Sequence, residues 1–459
     1  MEDTKKTQLF ENTKIPKAVM TLAIPTVISS LVMVIYNLAD TYFVGMLNDP
    51  VETAAVTLAA PVLLAFNAVN NLFGVGTSTM MSRAMGRKDF DLMHKACATG
   101  FYLALACGVI FAAAYSIFRN PFLNLLGAQA DTIASTAAYL FWTTSLGAAP
   151  AIMNVVMANL VRSEGASFHA SIGTMSGCLL NIVLDPFFIL PSYLGMGAAG
   201  AGCATFISNC AACAYFLILI FVKRKKSHVC INPKMFRLKK EILSEIFSVG
   251  IPAAIQNLLN VTGMTVLNNF AASYGADAVA AMGIAQKINM IPMYIALGLG
   301  QGIMPLISYN FASGNISRMK KTYLFSLAVS VSFLTVIAAV YFLFPGRIAA
   351  LFIDNNPVII YAAVFLKGMC LAIPFLAIDF LAVGVFQACA MGKHALIFAV
   401  LRKIVLEIPA LIILNKLFPV YGLAYAQLCA ELVLAAIAAV VMIRLFKRLS
   451  KESLTKAGA

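Results

Sequence analysis

Residues 18–39 read AVMTLAIPTVISSLVMVIYNLA, an uncharged run that ends against Asp40. An α-helix needs about 20 such residues to cross the hydrocarbon core of a bilayer. Runs of the same kind recur at Thr53 to Ser82, Ala96 to Phe118, Thr132 to Val161, Ile246 to Ala276, Ile288 to Ser317 and Thr322 to Gly346. They are continuous rather than alternating, which excludes a β-barrel. Of 459 residues, 61% are hydrophobic and 11% are charged, against about 25% charged in soluble domains. Composition excludes a soluble enzyme, a disordered chain and a nucleic-acid binder. The expected fold class is an all-α polytopic membrane protein with twelve transmembrane helices.

Basic residues set the threading. All 33 except Arg119, Lys287, Arg347, Lys367 and Lys416 fall in the N-terminal segment, in alternate connections or in the C-terminal tail. The densest group is Lys223, Arg224, Lys225, Lys226, Lys234, Arg237, Lys239 and Lys240. The positive-inside rule makes that side cytoplasmic. Both termini then lie in the cytoplasm, and the chain is multi-pass in an inner or plasma membrane. The net charge of +14 is accounted for by topology, without a nucleic-acid partner. The N-terminal residues carry Lys5, Lys6, Lys14 and Lys17 and no cleavage site of small residues. The apolar run behind them is too long for a signal peptide.

The stretch 223–242 is the one long polar connection, so the expected domains are 1–222 and 243–459 with a linker between. The halves echo each other in order. Ile24-Pro25 answers Ile251-Pro252, Gly74-x-Gly76 answers Gly300-x-Gly302, and Ser82 answers Ser308. Pro150 answers Pro374, His169-Ala170 answers His394-Ala395, and Pro186 answers Pro409. Six spans is an even number, so both copies insert the same way round. They are expected to form two six-helix lobes related by a pseudo-two-fold axis along the membrane normal. Such lobes enclose a cavity that opens to either side by rocking.

A charge at a helix centre costs about 2.5–3.5 kcal/mol on insertion scales, so retained acids need a reason. Asp40 closes the first span, with Tyr36 and Asn37 one turn before it on the same face. Asp185 follows Asn181 by one turn, and Pro186 leaves the Ile182 carbonyl without its helical donor. A carboxylate, an amide and a freed carbonyl are oxygen donors suited to a proton or a sodium ion. Asp185 read as a helix-end cap is the plain structural alternative. Thr205 adds a hydroxyl from the next span. In the second half, Lys287, Lys367, Asp379, Glu407 and Glu431 interrupt apolar runs. Lys403 lies one turn before Glu407 and offers it a structural partner, Glu431 has no local one, and Asp379 is the functional candidate there.

These residues resemble the multidrug and toxic compound extrusion (MATE) family, in its DinF-like and MepA-like bacterial branch, from about Ile15 to Leu449. The marks are the run from Tyr36 to Gly45, Arg162-Ser163-Glu164-Gly165 followed by His169-Ala170, Asn181-x3-Asp185-Pro186, and the run from Gly197 to Gly202. The resemblance implies antiport of drugs, often organic cations, against sodium ions or protons. It implies an ion site in the N-terminal lobe made by Asp40, Asn181, Asp185 and Thr205, the first three being the metal ligands if sodium couples. Tyr36, Asn37, Asn154, Asn159 and Asp379 are candidates to line the substrate cavity. NorM-type relatives use a glutamate on helix seven, whereas span seven here, Ile246 to Phe270, has no acid.

Two other functions compete. A flippase for lipid-linked or polyisoprenoid intermediates is expected to favour a cationic cavity for phosphates, and Asp40 and Asp185 argue for cationic substrates. A membrane-embedded enzyme needs a catalytic constellation, and neither an HExxH nor a Ser–His pair is present. The ten cysteines lie almost all in apolar runs, as small hydrophobes, and Cys210-x-x-Cys213 has no second pair. The four histidines fall in polar connections without zinc-ligand spacing. The coupling ion is therefore the one cofactor-like species expected, the partners are small-molecule drugs and the bilayer, and a monomer is expected.

Topology is directly testable. A cysteine placed at Lys225 in a cysteine-free variant should react with an impermeant maleimide only once the membrane is opened. Efficient labelling from outside intact cells overturns the threading.

Overall fold

The computed structural model describes residues 3–224 and 226–457, and Lys225 of the linker lies outside the described residues. Every regular element among them is helical. A short helix, Asp3–Glu11, precedes α1 (Ile15–Gly45), α2 (Pro50–Gly86) and α3 (Phe90–Ile117). Then come α4 (Ile133–Leu146 continued by Ala148–Ser163), α5 (Ser167–Ile189) and α6 (Gly197–Val222). The second half holds α7 (Lys240–Ala272), α8 (Ala276–Ala312), α9 (Ile316–Leu343) and α10 (Asn356–Cys370 continued by Ile373–Ala388). It closes with α11 (Gly392–Val400, Leu401–Glu407 and Ile408–Leu417) and α12 (Gly422–Ala457). These are the twelve expected helices.

Nine of them are long and apolar enough to cross a bilayer unbroken among the described residues. α4 and α10 do so as pairs bent by 50° and 48°. Their bends fall just ahead of Pro150 and Pro374, the residues the internal repeat matches. A proline near the start of a helix forfeits no intrahelical bond. α11 is broken into three short pieces, and its π-helical middle, Leu401–Glu407, carries Arg402, Lys403 and Glu407. Three of the histidines are not in connections as the sequence suggests. His94, His169 and His394 sit within the first residues of α3, α5 and α11.

The helices group into two compact units. Unit 1 is Ile28–Ala254 with the segment ending at Leu9; unit 2 is Phe10–Val27 with the segment that starts at Ile255. α1 and α7 each supply residues to both units.

In unit 1 the start of α7 lies directly on α2. A Cβ at Gly76 would stand 2.4 Å from the Ile246 carbonyl oxygen, and one at Gly250 would stand 2.0 Å from that of Leu72. Arg83, at the end of α2, holds Glu245 of α7 through Nε at 3.0 Å. The linker is fastened to the same unit. Tyr102 donates to the Ile231 carbonyl at 2.7 Å, and Glu164 accepts from Ser227 Oγ at 2.8 Å and from the His228 N–H at 2.7 Å.

Unit 2 repeats the arrangement. A Cβ at Gly302 of α8 would stand 2.7 Å from Ala23 Cα of α1. Phe10 is fully buried and stacks on Tyr309, with ring centroids 5.0 Å apart. The Tyr309 hydroxyl donates to Glu11 at 2.6 Å, and Arg318 Nε donates to the Phe10 carbonyl at 2.6 Å. Lipid is as apolar as leucine and supplies no push between helices, so small residues that let backbones touch take over the work of packing.

Gly76→Val and Gly302→Val should each destabilise the purified protein by about 1–3 kcal/mol or more, as overpacked sites do. Gly346→Val, where a Cβ meets nothing within 4 Å, should not. Thermal melting in detergent checks this, and equal melting points for all three refute the packing argument.

Candidate functional site

The site lies in unit 1 and is assembled by α1, α4, α5 and α6. On α5, Asn181 and Asp185 share a face one turn apart. Asp185 is fully buried and Asn181 nearly so. Pro186 is held inside α5, so the Ile182 carbonyl lacks an amide donor there. Asp185 is thus a buried mid-site acid rather than an exposed end cap. α1 brings in Asp40 and, one turn earlier, Tyr36, both half-buried. Asp40 is close enough to Asp185 for the two charges to repel.

α6 reaches the site because of its opening glycines. Gly197 takes φ +58°, in the left-handed region that glycine favours. The Ala198 N–H beyond it donates to the Glu52 carboxylate of α2, and Ser135 Oγ donates to the same group at 2.7 Å. A Cβ at Gly200 would stand 2.4 Å from the Phe188 carbonyl, and one at Gly202 would stand 2.9 Å from that of Tyr139. These contacts draw α6 against α5 and α4, which puts Thr205 beside Asn181.

The Asn181 amide links the two helices. With its nitrogen toward Asp185 it donates to Oδ2 at 2.9 Å, while its oxygen accepts from the Thr205 N–H at 3.1 Å. In the opposite orientation the nitrogen lies 3.4 Å from the Thr205 hydroxyl. The Tyr36 hydroxyl lies near the Thr205 side chain. Tyr139 of α4 is 4% exposed and lies within electrostatic range of both Asp40 and Asp185. Sequence reasoning missed Tyr139. The available signal was a phenol in the charge-free run 132–161.

Asp40 and Asp185 have no Lys, Arg or His partner among the described residues. Nor do those residues contain a group of three His, Cys, Asp or Glu arranged for a metal. What the site offers is two carboxylates with amide, hydroxyl and carbonyl oxygens, a hard donor set for a small monovalent cation.

The other candidates make contacts of their own, while Asn154 Oδ1 and Asp379 Oδ1 are buried without a hydrogen-bond partner. Asn154 donates to Asn209 Oδ1 at 3.2 Å. Asn159 donates to the Val155 carbonyl at 3.0 Å and accepts from Arg162 at 2.8 Å. Asn37 is half-buried, and its carbonyl accepts from Thr41 at 2.8 Å. In unit 2, Asp379 and Glu431 are both buried around Arg402. The guanidinium donates to Glu431 at 2.7 Å, lies 3.5 Å from Asp379, and covers the Phe380 ring at 4.9 Å. Glu431 therefore has a partner, supplied by α11. Lys403 donates to both oxygens of Glu407, at 2.8 and 2.7 Å, the pairing that the sequence offered.

The profile described as MatE matches residues 25–187 and again residues 252–413. The chain belongs to the MatE family. The double match restates the internal repeat. The multidrug export protein MepA of Staphylococcus aureus (strain MRSA252) is 34% identical over 446 residues, covering 97% of each chain. The protein of the same name from Staphylococcus haemolyticus (strain JCSC1435) is 34% identical over 448 residues, 96% of each. Among solved structures, an outward-facing multidrug resistance MATE family transporter of the MOP superfamily matches with a TM-score of 0.92 at 26% identity. That match covers 97% of this chain and 99% of the other. This MatE protein is thus a multi-pass membrane protein with the twelve-helix fold of those transporters.

The contrast between the two acid groups is measurable. Arg402→Met strips the counter-charge from two buried acids and should lower stability by about 3–5 kcal/mol. Asp185→Asn removes an acid that has no basic partner and should leave the melting temperature unchanged or raised. Melting curves at one detergent composition decide, and an unaltered Arg402→Met protein refutes the ion-pair reading.

Proposed function

We propose that this protein is a multidrug efflux antiporter of the inner or plasma membrane, with both termini in the cytoplasm. It works as a monomer by alternating access and exports organic, mainly cationic, compounds against Na+ or H+. The observation that carries this reading is the carboxylate pair of half-buried Asp40 and fully buried Asp185, with no Lys, Arg or His partner among the described residues. The name of the relatives at 34% identity, multidrug export protein, supports the substrate class. A flippase for lipid-linked phosphates is not favoured, because unpaired acids repel a phosphate.

The Asn181 amide suggests how the site registers a cation. Its nitrogen, facing Asp185, holds the carboxylate in place of an ion. A sodium ion needs oxygen on that side, so the amide must turn over and offer Oδ1. A proton on Asp185 permits the same turn, since its O–H can then donate to Oδ1. Turning moves the nitrogen to the Thr205 hydroxyl, so occupancy on α5 reaches α6. A cation that binds better when these helices are so arranged shifts the protein toward that state. An organic cation, drawn by the same carboxylates, leaves as the inorganic one enters.

Asp185→Asn should abolish drug export, a loss of at least about tenfold in the resistance conferred, with protein reaching the membrane at wild-type level. Asp40→Asn should do nearly the same, and Glu407→Gln should retain most export. Drug-resistance assays at matched expression test this, and drug-dependent Na+ or proton flux in proteoliposomes identifies the ion. Full export by Asp185→Asn moves the coupling site elsewhere, first to Asp379.

A further inference from the structure

Apart from the carboxylate site, unit 2 contains a groove of about 660 Å³ between α9 and α12. Its chemistry is graded along its length. Lys320 stands near the start of α9, with Tyr323, Leu324 and Leu327 one and two turns further along the same face. Lys447 and Lys451 stand near the end of α12, with Ile443, Met442 and Ala439 one and two turns before them. Both helices therefore put their lysines at one end of the groove and their apolar residues beyond. Tyr323 and Phe446 form the floor, buried, with ring centroids 5.5 Å apart. Leu324 and Ile443 form exposed walls. No Asp or Glu is among the described residues that line the groove. The nearby Glu452 is bonded to Arg448 at 2.8 Å.

An apolar track alone accepts any acyl chain. Three ammonium groups at its mouth select an anionic head. A free phosphate or nucleotide would gain nothing from the aromatic floor and the leucine wall. A single amphiphile satisfies both ends. Basic pockets between transmembrane helices on the cytoplasmic side take anionic lipid head groups, and the proposed topology places Lys320, Lys447 and Lys451 on that side. We propose that this groove is a binding site for an anionic phospholipid of the surrounding membrane, such as phosphatidylglycerol. Its head is held by Lys320, Lys447 and Lys451, and one acyl chain runs over Tyr323 and Phe446.

The test uses the full chain, purified in detergent, stripped of lipid and titrated with phosphatidylglycerol or phosphatidylcholine. Native mass spectrometry and the shift in melting temperature are the readouts. Phosphatidylglycerol should bind and stabilise, and phosphatidylcholine should do neither to the same degree. The triple variant Lys320→Gln/Lys447→Gln/Lys451→Gln should bind phosphatidylglycerol on the order of 100-fold more weakly, as expected for losing three basic contacts. Ile443→Trp, which fills the track and keeps every charge, should also lose the lipid. Lys287→Gln/Lys416→Gln, outside the groove, should bind as wild type. Undiminished binding by the triple variant overturns the proposal. So does equal binding of phosphatidylcholine, or equal stabilisation by glycerol phosphate, which would mark a phosphate site without a chain.

Discussion

Everything in this structure depends on how acids are kept in hydrocarbon. A carboxylate taken out of water needs a counter-charge or dense hydrogen bonding, or it destabilises the fold. The protein answers this in two opposite ways. In unit 2 the acids Asp379, Glu431 and Glu407 are paired with Arg402 and Lys403, side chains of the chain itself. In unit 1, the polar groups set around Asp40 and Asp185 among the described residues include Asn181, Thr205, Tyr36 and Tyr139, and none of these is positive. A permanent pair holds helices together. A group without a counter-charge of its own suits the cation site proposed above.

The two groups also differ in the backbone that carries them. Arg402, Lys403 and Glu407 lie on a π-helical turn, whose extra residue per turn shifts which side chains face the unit's interior. Asn181 and Asp185 lie on a regular helix at i and i+4, and their shared face follows from α-helical periodicity alone. What brings α6 to them is glycine. Without side chains at Gly200 and Gly202, the carbonyls of Phe188 and Tyr139 approach within distances that a Cβ would forbid. The acids are therefore served by a scaffold whose helices touch backbone to backbone, as is required where water exclusion offers no force between helices.

The same logic explains the paired glycines of the repeat. Gly76 and Gly302 hold corresponding places in α2 and α8, and each lets the beginning of another helix, α7 or α1, lie against it. Pro150 and Pro374 likewise follow corresponding bends in α4 and α10. Gly76, Gly302, Pro150 and Pro374 thus mark points where the backbone must bend or come close. Side-chain chemistry has diverged freely around them, which is why one half keeps unpaired acids and the other keeps ion pairs.

Sequence by itself determined the class and the helix count, and it singled out three residues of the candidate site. Charge-free runs long enough to cross a bilayer admit one solution, because an unsatisfied backbone cannot exist in lipid. Asp40, Asn181 and Asp185 stood out because polar groups are costly there and two of them share a helical face. Tertiary structure decided the rest. It supplied Tyr139 from a bent helix distant in the chain, and it gave Glu431 a partner across α11 and α12. It also turned Asp379 from a free acid into half of an ion pair. Those outcomes depend on which helices lie side by side and on a π turn that rotates Arg402 inward. Neither leaves a periodic trace in the sequence, because contacts between helices are set by shape and not by spacing.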